Sequence, residues 1–238
     1  MLGSSGPLTD ACPMPTMNKA ITLLLATLCV APVVSWAQGQ NVPPGGEQKA
    51  AMCIGCHGIA GYQASFPEVY KVPMISGQNP KYIVSALNAY KKGERKHPSM
   101  RAIAVSLTDD DMAAIAEWYG SHGAGASSSV KPVAQARVPA PSAEVAALLT
   151  KGACVSCHGA DYNKPIDPSY PKLGGQHADY LFAALRAYAT EGKAQHGRSN
   201  AIMSAQVKQF KREELKAMAN YLSTLPGELH TIPQPRFR

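Results

Sequence analysis

The chain has 238 residues, 45% of them apolar and 16% charged, with 20 Gly, 19 Pro, 6 Cys and a net charge of +7. This composition is too apolar for a disordered chain and lacks the Gly-X-Y period of a fibre. The longest apolar run, residues 20–34, is interrupted by Pro32 and falls short of the roughly 18 residues a bilayer-spanning helix needs, which excludes a multi-span membrane protein.

At the N-terminus, Met17-Asn18-Lys19, the apolar run and Ser35-Trp36-Ala37 read as a secretory signal peptide. A cationic start, an apolar stretch and small residues at the −3 and −1 positions place the cut after Ala37. Residues 1–16 carry no Lys or Arg, so Met17 is a candidate true start. Bulky Leu28 before Cys29 argues against a lipoprotein anchor. The expected product is exported, which takes nucleic acid off the list of partners.

Removing residues 1–37 leaves Cys53, Cys56, Cys154 and Cys157 as the cysteines of the chain. Disulfides are the usual fate of exported cysteines. Here, however, the motifs Cys53-Ile-Gly-Cys56-His57 and Cys154-Val-Ser-Cys157-His158 share one spacing, each closed by a histidine. This is the attachment pattern of a c-type haem. On one helical turn, positions i, i+3 and i+4 share a face, so two sulfurs can bond the porphyrin vinyls while the imidazole ligates its iron. A zinc site would need four converging ligands and leaves the paired histidines unexplained. The expected cofactors are two covalently bound haem c.

The motifs lie 101 residues apart, and the surrounding sequence repeats. Pro73–Gln78 matches Pro171–Gln176 at an offset of 98, which also carries Tyr82, Ala86, Leu87 and Tyr90 onto Tyr180, Ala184, Leu185 and Tyr188. Each stretch has an amphipathic helical period, with Pro80 at one start and Gly93 or Gly192 past the ends. Further helices follow at an offset of 103: Met112, Ile115, Trp118 and Tyr119 mark one apolar face, opened by Thr108 and Asp111, and Leu215, Met218, Leu222 and Leu225 mark the other. Nothing reads as a strand. The expected fold is all-α, two copies of a small helical domain at 45–122 and 142–228, joined by an Ala/Ser/Gly/Pro-rich linker at 123–141 and followed by a tail at 229–238.

The repeat also selects distal ligands. At the 103-residue offset Met100 superimposes on Met203, each expected in a loop before the last helix. A thioether favours ferrous iron and raises the potential of a haem already held by His. Met52, Met112 and Met218 read as core filler. His97 and His196, aligned at offset 99, are rival distal ligands, whereas His122, His177 and His230 read as surface residues.

With its duplicated Cys-x-x-Cys-His motif, Pro-Lys-Leu-Gly-Gly-Gln run and late methionines, the chain resembles the dihaem cytochrome c4 family over 45–227. The resemblance implies two class I cytochrome c domains related by a pseudo-twofold, with haem propionates facing each other across the interface. It also implies that Pro73 and Pro171 offer carbonyls to the axial histidines. Members carry electrons from the bc1 complex to terminal oxidases, commonly of the cbb3 type, at the periplasmic face of the inner membrane. The chain is therefore expected to be an electron-transfer protein and not an enzyme. Cys53, Cys56, Cys154 and Cys157 tether the haems, and the axial pairs are His57 with Met100 and His158 with Met203. Lys91, Lys92, Arg95, Lys96, Arg101, Lys193 and Arg198 are expected to form a basic docking surface. The alternatives are an electron-accepting subunit of a dehydrogenase, such as a sulfide-oxidising flavoprotein, and a dihaem peroxidase-type enzyme with one open iron.

Overall fold

The computed structural model describes residues 45–66, 68–122, 139–190 and 196–233. The expected signal peptide, most of the expected linker, Lys193, Gly192 and the end of the chain lie outside the described residues. In the first half α1 spans Gly46–His57, α2 Pro80–Lys92, α3 Pro98–Val105 and α4 Asp109–Ser121. The second half holds α5 Ala143–Lys151, α6 Cys154–His158, α7 Ala178–Ala189, α8 Ala201–Val207 and α9 Arg212–Thr224.

The helix boundaries follow local chemistry. Pro80 and Pro98 occupy first turns, where a missing N–H costs nothing. Gly93 ends α2 at φ 78°, a left-handed cap that glycine adopts without Cβ strain. Thr108 Oγ1 accepts from Asp111 N at 3.1 Å while Thr108 N donates to Asp111 Oδ2 at 3.0 Å, a complete capping box for α4. The halves differ at the haem motif. The helix α1 runs unbroken through Met52, but Ala153, its counterpart, sits at φ 47° and separates α5 from α6.

Each half closes on its own core. Ala50, Ile83, Leu87, Leu107, Met112, Ile115, Trp118 and Tyr119 form the first; Leu148, Leu149, Leu181, Val207, Leu215, Met218, Leu222 and Leu225 form the second. Met112 and Met218 fill these cores as expected, but Met52 is 52% exposed on the outer face of α1 and is not core filler.

The all-helical expectation holds for the cores but missed four two-residue strands. β1 (Gln63–Ala64) pairs antiparallel with β2 (Tyr70–Lys71). β3 (Arg95–Lys96) pairs antiparallel with β4 (Gly197–Arg198), joining the halves. Two residues are too few for a period to register, and these pairings are made by tertiary contact.

The seam between the halves is reciprocal. Gln78 Nε2 donates to Lys172 O at 3.1 Å and Gln78 Oε1 accepts from Lys172 N at 2.9 Å. Gln176 does the same to residue 74, with Nε2 to Met74 O at 2.8 Å and Met74 N to Oε1 at 3.0 Å. The offset of 98 that relates the glutamines also relates residues 74 and 172, so the pairs exchange under the pseudo-twofold. Asp179 adds a contact to Lys71 N at 3.0 Å, and Glu68 pairs with Arg186.

The chain beyond α9 is a strap rather than a loose tail. Asn163 Nδ2 donates to Pro226 O at 2.9 Å, Leu229 is buried, His230 N donates to Ser76 O at 3.2 Å, and Ile232 packs on the first core. His230, read as a surface residue, thus pins the second half's end to the first half. Among the described residues no helix is long and apolar enough to cross a membrane.

Candidate haem-attachment sites

Cys53, Cys56 and His57 occupy the last turn and a half of α1, and Cys154, Cys157 and His158 make up most of α6. Both sets therefore present two sulfurs and one imidazole from a single helical turn. All four thiols are free, so neither motif closes on itself as a disulfide. Burial, reinforced by neighbouring Cys56, pushes the Cys53 thiol up to about 11, and burial raises Cys154 as well. These are protonated, partly shielded thiols, available for thioether bonds.

The histidines are oriented identically. His57 Nδ1 lies 2.9 Å from Pro73 O, and His158 Nδ1 lies 3.1 Å from Pro171 O. A carbonyl only accepts, so Nδ1 carries the hydrogen and Nε2 keeps its lone pair. Burial is the main influence on both imidazoles and lowers their proton affinity, favouring the neutral form that binds iron. Prolines suit the acceptor position, because their fixed φ holds the carbonyl where a rigid turn can present it.

Met100 and Met203 were expected in loops; each lies instead in the first turn of a short helix, α3 or α8. Met100 N donates to His97 Nδ1 at 3.4 Å, and Met203 N donates to Asn200 Oδ1 at 2.9 Å. A helix start leaves backbone N–H groups unpaired, and here a cap from three residues upstream fixes each methionine backbone. Both side chains are half-buried against the core of their own half. Helical period did not reveal these helices, since seven or eight residues give barely two turns.

The structure also corrects an alignment. His97 and Asn200 fill the same N-cap, 103 residues apart, so His97 corresponds to Asn200 and not to His196. The His97 side chain bonds Met100 N and also the Phe66 backbone. His97 and His196 line one cavity at the seam. The other histidines divide similarly: His177 precedes α7 at the seam, and His122 stacks beside Trp118.

Part of the expected docking surface is interior. Arg95 is only 6% exposed, its guanidinium lying over the rings of Tyr82 and Tyr90. Arg198 lies over Tyr180 and Tyr188, and Lys91 Nζ donates to Leu107 O at 2.7 Å. Lys92 and Arg101 are exposed. Among the described residues no group of three or more His, Cys, Asp or Glu converges. Free thiol pairs, an imidazole with its Nε2 lone pair presented, and a half-buried thioether in each half fit a covalently held haem.

Two such half-molecules, each helical and each carrying one attachment turn, define a c-type haem protein. Residues 142–226 match the family model described as Cytochrome c. Cytochrome c-553 of Nitratidesulfovibrio vulgaris is 42% identical over 85 residues, covering 34% of this chain and 81% of the relative. Cytochrome c4 of Pseudomonas aeruginosa is 27% identical over 210 residues, covering 88% of this chain and all of the relative. A "Thiosulfate dehydrogenase electron acceptor" of Stutzerimonas stutzeri is 29% identical over 210 residues, 84% of this chain and 92% of its own. The solved cytochrome c4 of Acidithiobacillus ferrooxidans superimposes with a TM-score of 0.55 at 25% identity, covering 74% of this chain and 99% of that one. The chain belongs to the dihaem cytochrome c4 family of c-type cytochromes. Its cofactors are two covalently bound haem c, and its work is electron transport.

Proposed function

We propose that the protein is an exported, periplasmic carrier of single electrons, with one haem domain at 45–122 and a second at 142–228. His57 and Met100 would hold the haem iron in the first domain, His158 and Met203 in the second. The observation that carries this reading is the doubled arrangement: Nδ1 of each histidine on a proline carbonyl, and each methionine fixed by a cap at a helix start. His97, hydrogen-bonded to Met100 N and to the Phe66 backbone, acts as the cap that positions Met100.

Haem supplies the one-electron ferric/ferrous couple. The residues do the rest: the cysteines fix the porphyrin, and the prolines lock the imidazole tautomer. The methionines would hold the iron from their thioethers, which would leave it closed to a substrate and raise its potential. The donor is the bc1 complex and the acceptor a cbb3-type terminal oxidase at the inner membrane, with exposed Lys92 and Arg101 steering the encounter. A second reading, acceptor subunit for a sulfur-compound dehydrogenase, draws on the relative named as a thiosulfate dehydrogenase electron acceptor. Stopped-flow oxidation of the reduced protein by a purified cbb3-type oxidase decides between them. A fast, salt-sensitive rate supports the carrier reading; no transfer to the oxidase but rapid reduction by a thiosulfate dehydrogenase overturns it.

A further inference from the structure

Gly58, the residue after His57, is buried, although Gly55, Cys56, Ile59 and Ala60 around it are exposed. Part of its cover comes from the strap: a Cβ on Gly58 would lie 3.1 Å from Ile232 O. The second half covers the same place from within. Gly159, which follows His158, lies against its own loop, where a Cβ would meet Lys164 O at 2.1 Å. His158 is 6% exposed, whereas His57 is only half-buried. The first half thus shields its histidine less completely and takes part of the cover from its neighbour. Several contacts hold Ile232 in place. Glu228 pairs with Lys172, Leu229 is buried, and His230 bridges antiparallel to Ser76, its N donating to Ser76 O at 3.2 Å. Ser76 is itself buried and lies three residues past Pro73, whose carbonyl holds His57 Nδ1. Pro233 favours an extended Ile232, because the residue before a proline is pushed out of the helical region. The Ile232 side chain packs on the first core, as do Cys53 and Ile54 of the attachment turn.

We infer that Ile232, supplied by the second half, seals the first attachment turn against water and thereby sets the potential of the first haem. The inference rests on the dihaem reading above. Ile232 acts through that turn rather than on the iron. A dry apolar wall penalises the ferric state, which carries one positive charge more than the ferrous, and water admitted beside His57 removes part of that penalty. The strap therefore raises the potential of the first haem. The second haem is not expected to depend on it, because Gly159 is covered by Lys164 of its own half. Two domains that are near-copies in sequence are in this way made unequal by the last residues of one of them.

The test is a potentiometric titration of the holoprotein, of Ile232→Ser and Ile232→Val, and of a chain ending after Leu229, followed by the reduced visible band. The first haem is identified as the one whose potential Met100→Ala moves. Ile232→Ser and the shortened chain are expected to lower the potential of the first haem and leave that of the second in place. Ile232→Val keeps a branched apolar side chain and should restore most of the loss; the two point variants carry the test if the shortened chain does not accumulate. Hydrogen exchange supplies a readout independent of the iron. The Gly58 amide, which donates to Ile54 O at 2.9 Å, should exchange faster in Ile232→Ser than in the wild type. Unchanged potentials, a rise in the first, an equal shift in both haems, or unchanged exchange at Gly58 would each overturn the proposal. Fewer than two haems per wild-type chain, or a wild-type spectrum without methionine ligation, would instead refute the dihaem carrier reading itself.

Discussion

Gln78→Ala is the substitution that most directly tests how the halves are held together. Gln78 is 4% exposed, and its amide satisfies both the N–H and the C=O of Lys172 across the seam. Alanine cannot replace either bond, and the half-buried backbone of Lys172 has little water to turn to. With about 1–3 kcal/mol for each partner left unpaired, two bonds amount to a loss of roughly 2–6 kcal/mol. Gln176→Ala removes the mirror pair on Met74 and should cost the same within about 1 kcal/mol, given the context dependence of such bonds. Guanidinium unfolding of the holoprotein, read by haem absorbance and by circular dichroism, measures both. Neither glutamine is in an attachment motif, so haem content should stay at wild-type level. A loss under about 0.5 kcal/mol in either variant, the range of ordinary surface substitutions, would refute the claim that these glutamines fasten the seam.

Other outcomes follow from the same geometry. Met100→Ala and Met203→Ala should each abolish the methionine-to-ferric-iron band of one haem and lower one potential, leaving the other haem unchanged in the ferric spectrum. In the strap, Leu229→Ala should cost about 2–4 kcal/mol in denaturant titrations, as a buried leucine truncation does. Gly227→Ala should also destabilise, since a Cβ there would lie 1.9 Å from Gly174 O and force two backbone segments apart. Asp111, bonded to Lys49 on α1 and closing the Thr108 cap, has its carboxyl held well below the usual carboxylate range, chiefly by Lys49. A depressed folded-state value means that its stabilisation is present above about pH 4 and is lost on acidification. Acid titration of Asp111→Asn should therefore show a shallower loss of stability below that pH than the wild type, and an identical profile would count against the bridge.

What the sequence showed and what it hid divide along physical lines. The attachment turns, the two cores and the capping box at Thr108 depend on residues close in sequence, and spacing alone located them. The strap did not announce itself, because Leu229 and Ile232 are two isolated apolar residues with no period. The sequence puts Arg95 and Arg198 on a basic docking surface, because arginine is ordinarily exposed. Only the antiparallel register of β3 on β4, set by the packing of two halves, buries Arg95 and half-buries Arg198. His97 was misaligned for a related reason: a cap is defined by the backbone N–H it receives, and histidine and asparagine can both fill that role. Met52 looked like core filler by residue type, yet the core-facing side of α1 is set by Ala50, Cys53 and Ile54.

The central claim is that each iron is closed by histidine and methionine, so that the protein only passes electrons. The ferric visible spectrum of the holoprotein, with haem quantitation and addition of cyanide and peroxide, tests it most directly. Two covalent haems per chain, a methionine charge-transfer band of full two-haem intensity and no response to either reagent are the expected result. A high-spin component, or rapid reaction of one haem with peroxide, would contradict it and reveal an open iron.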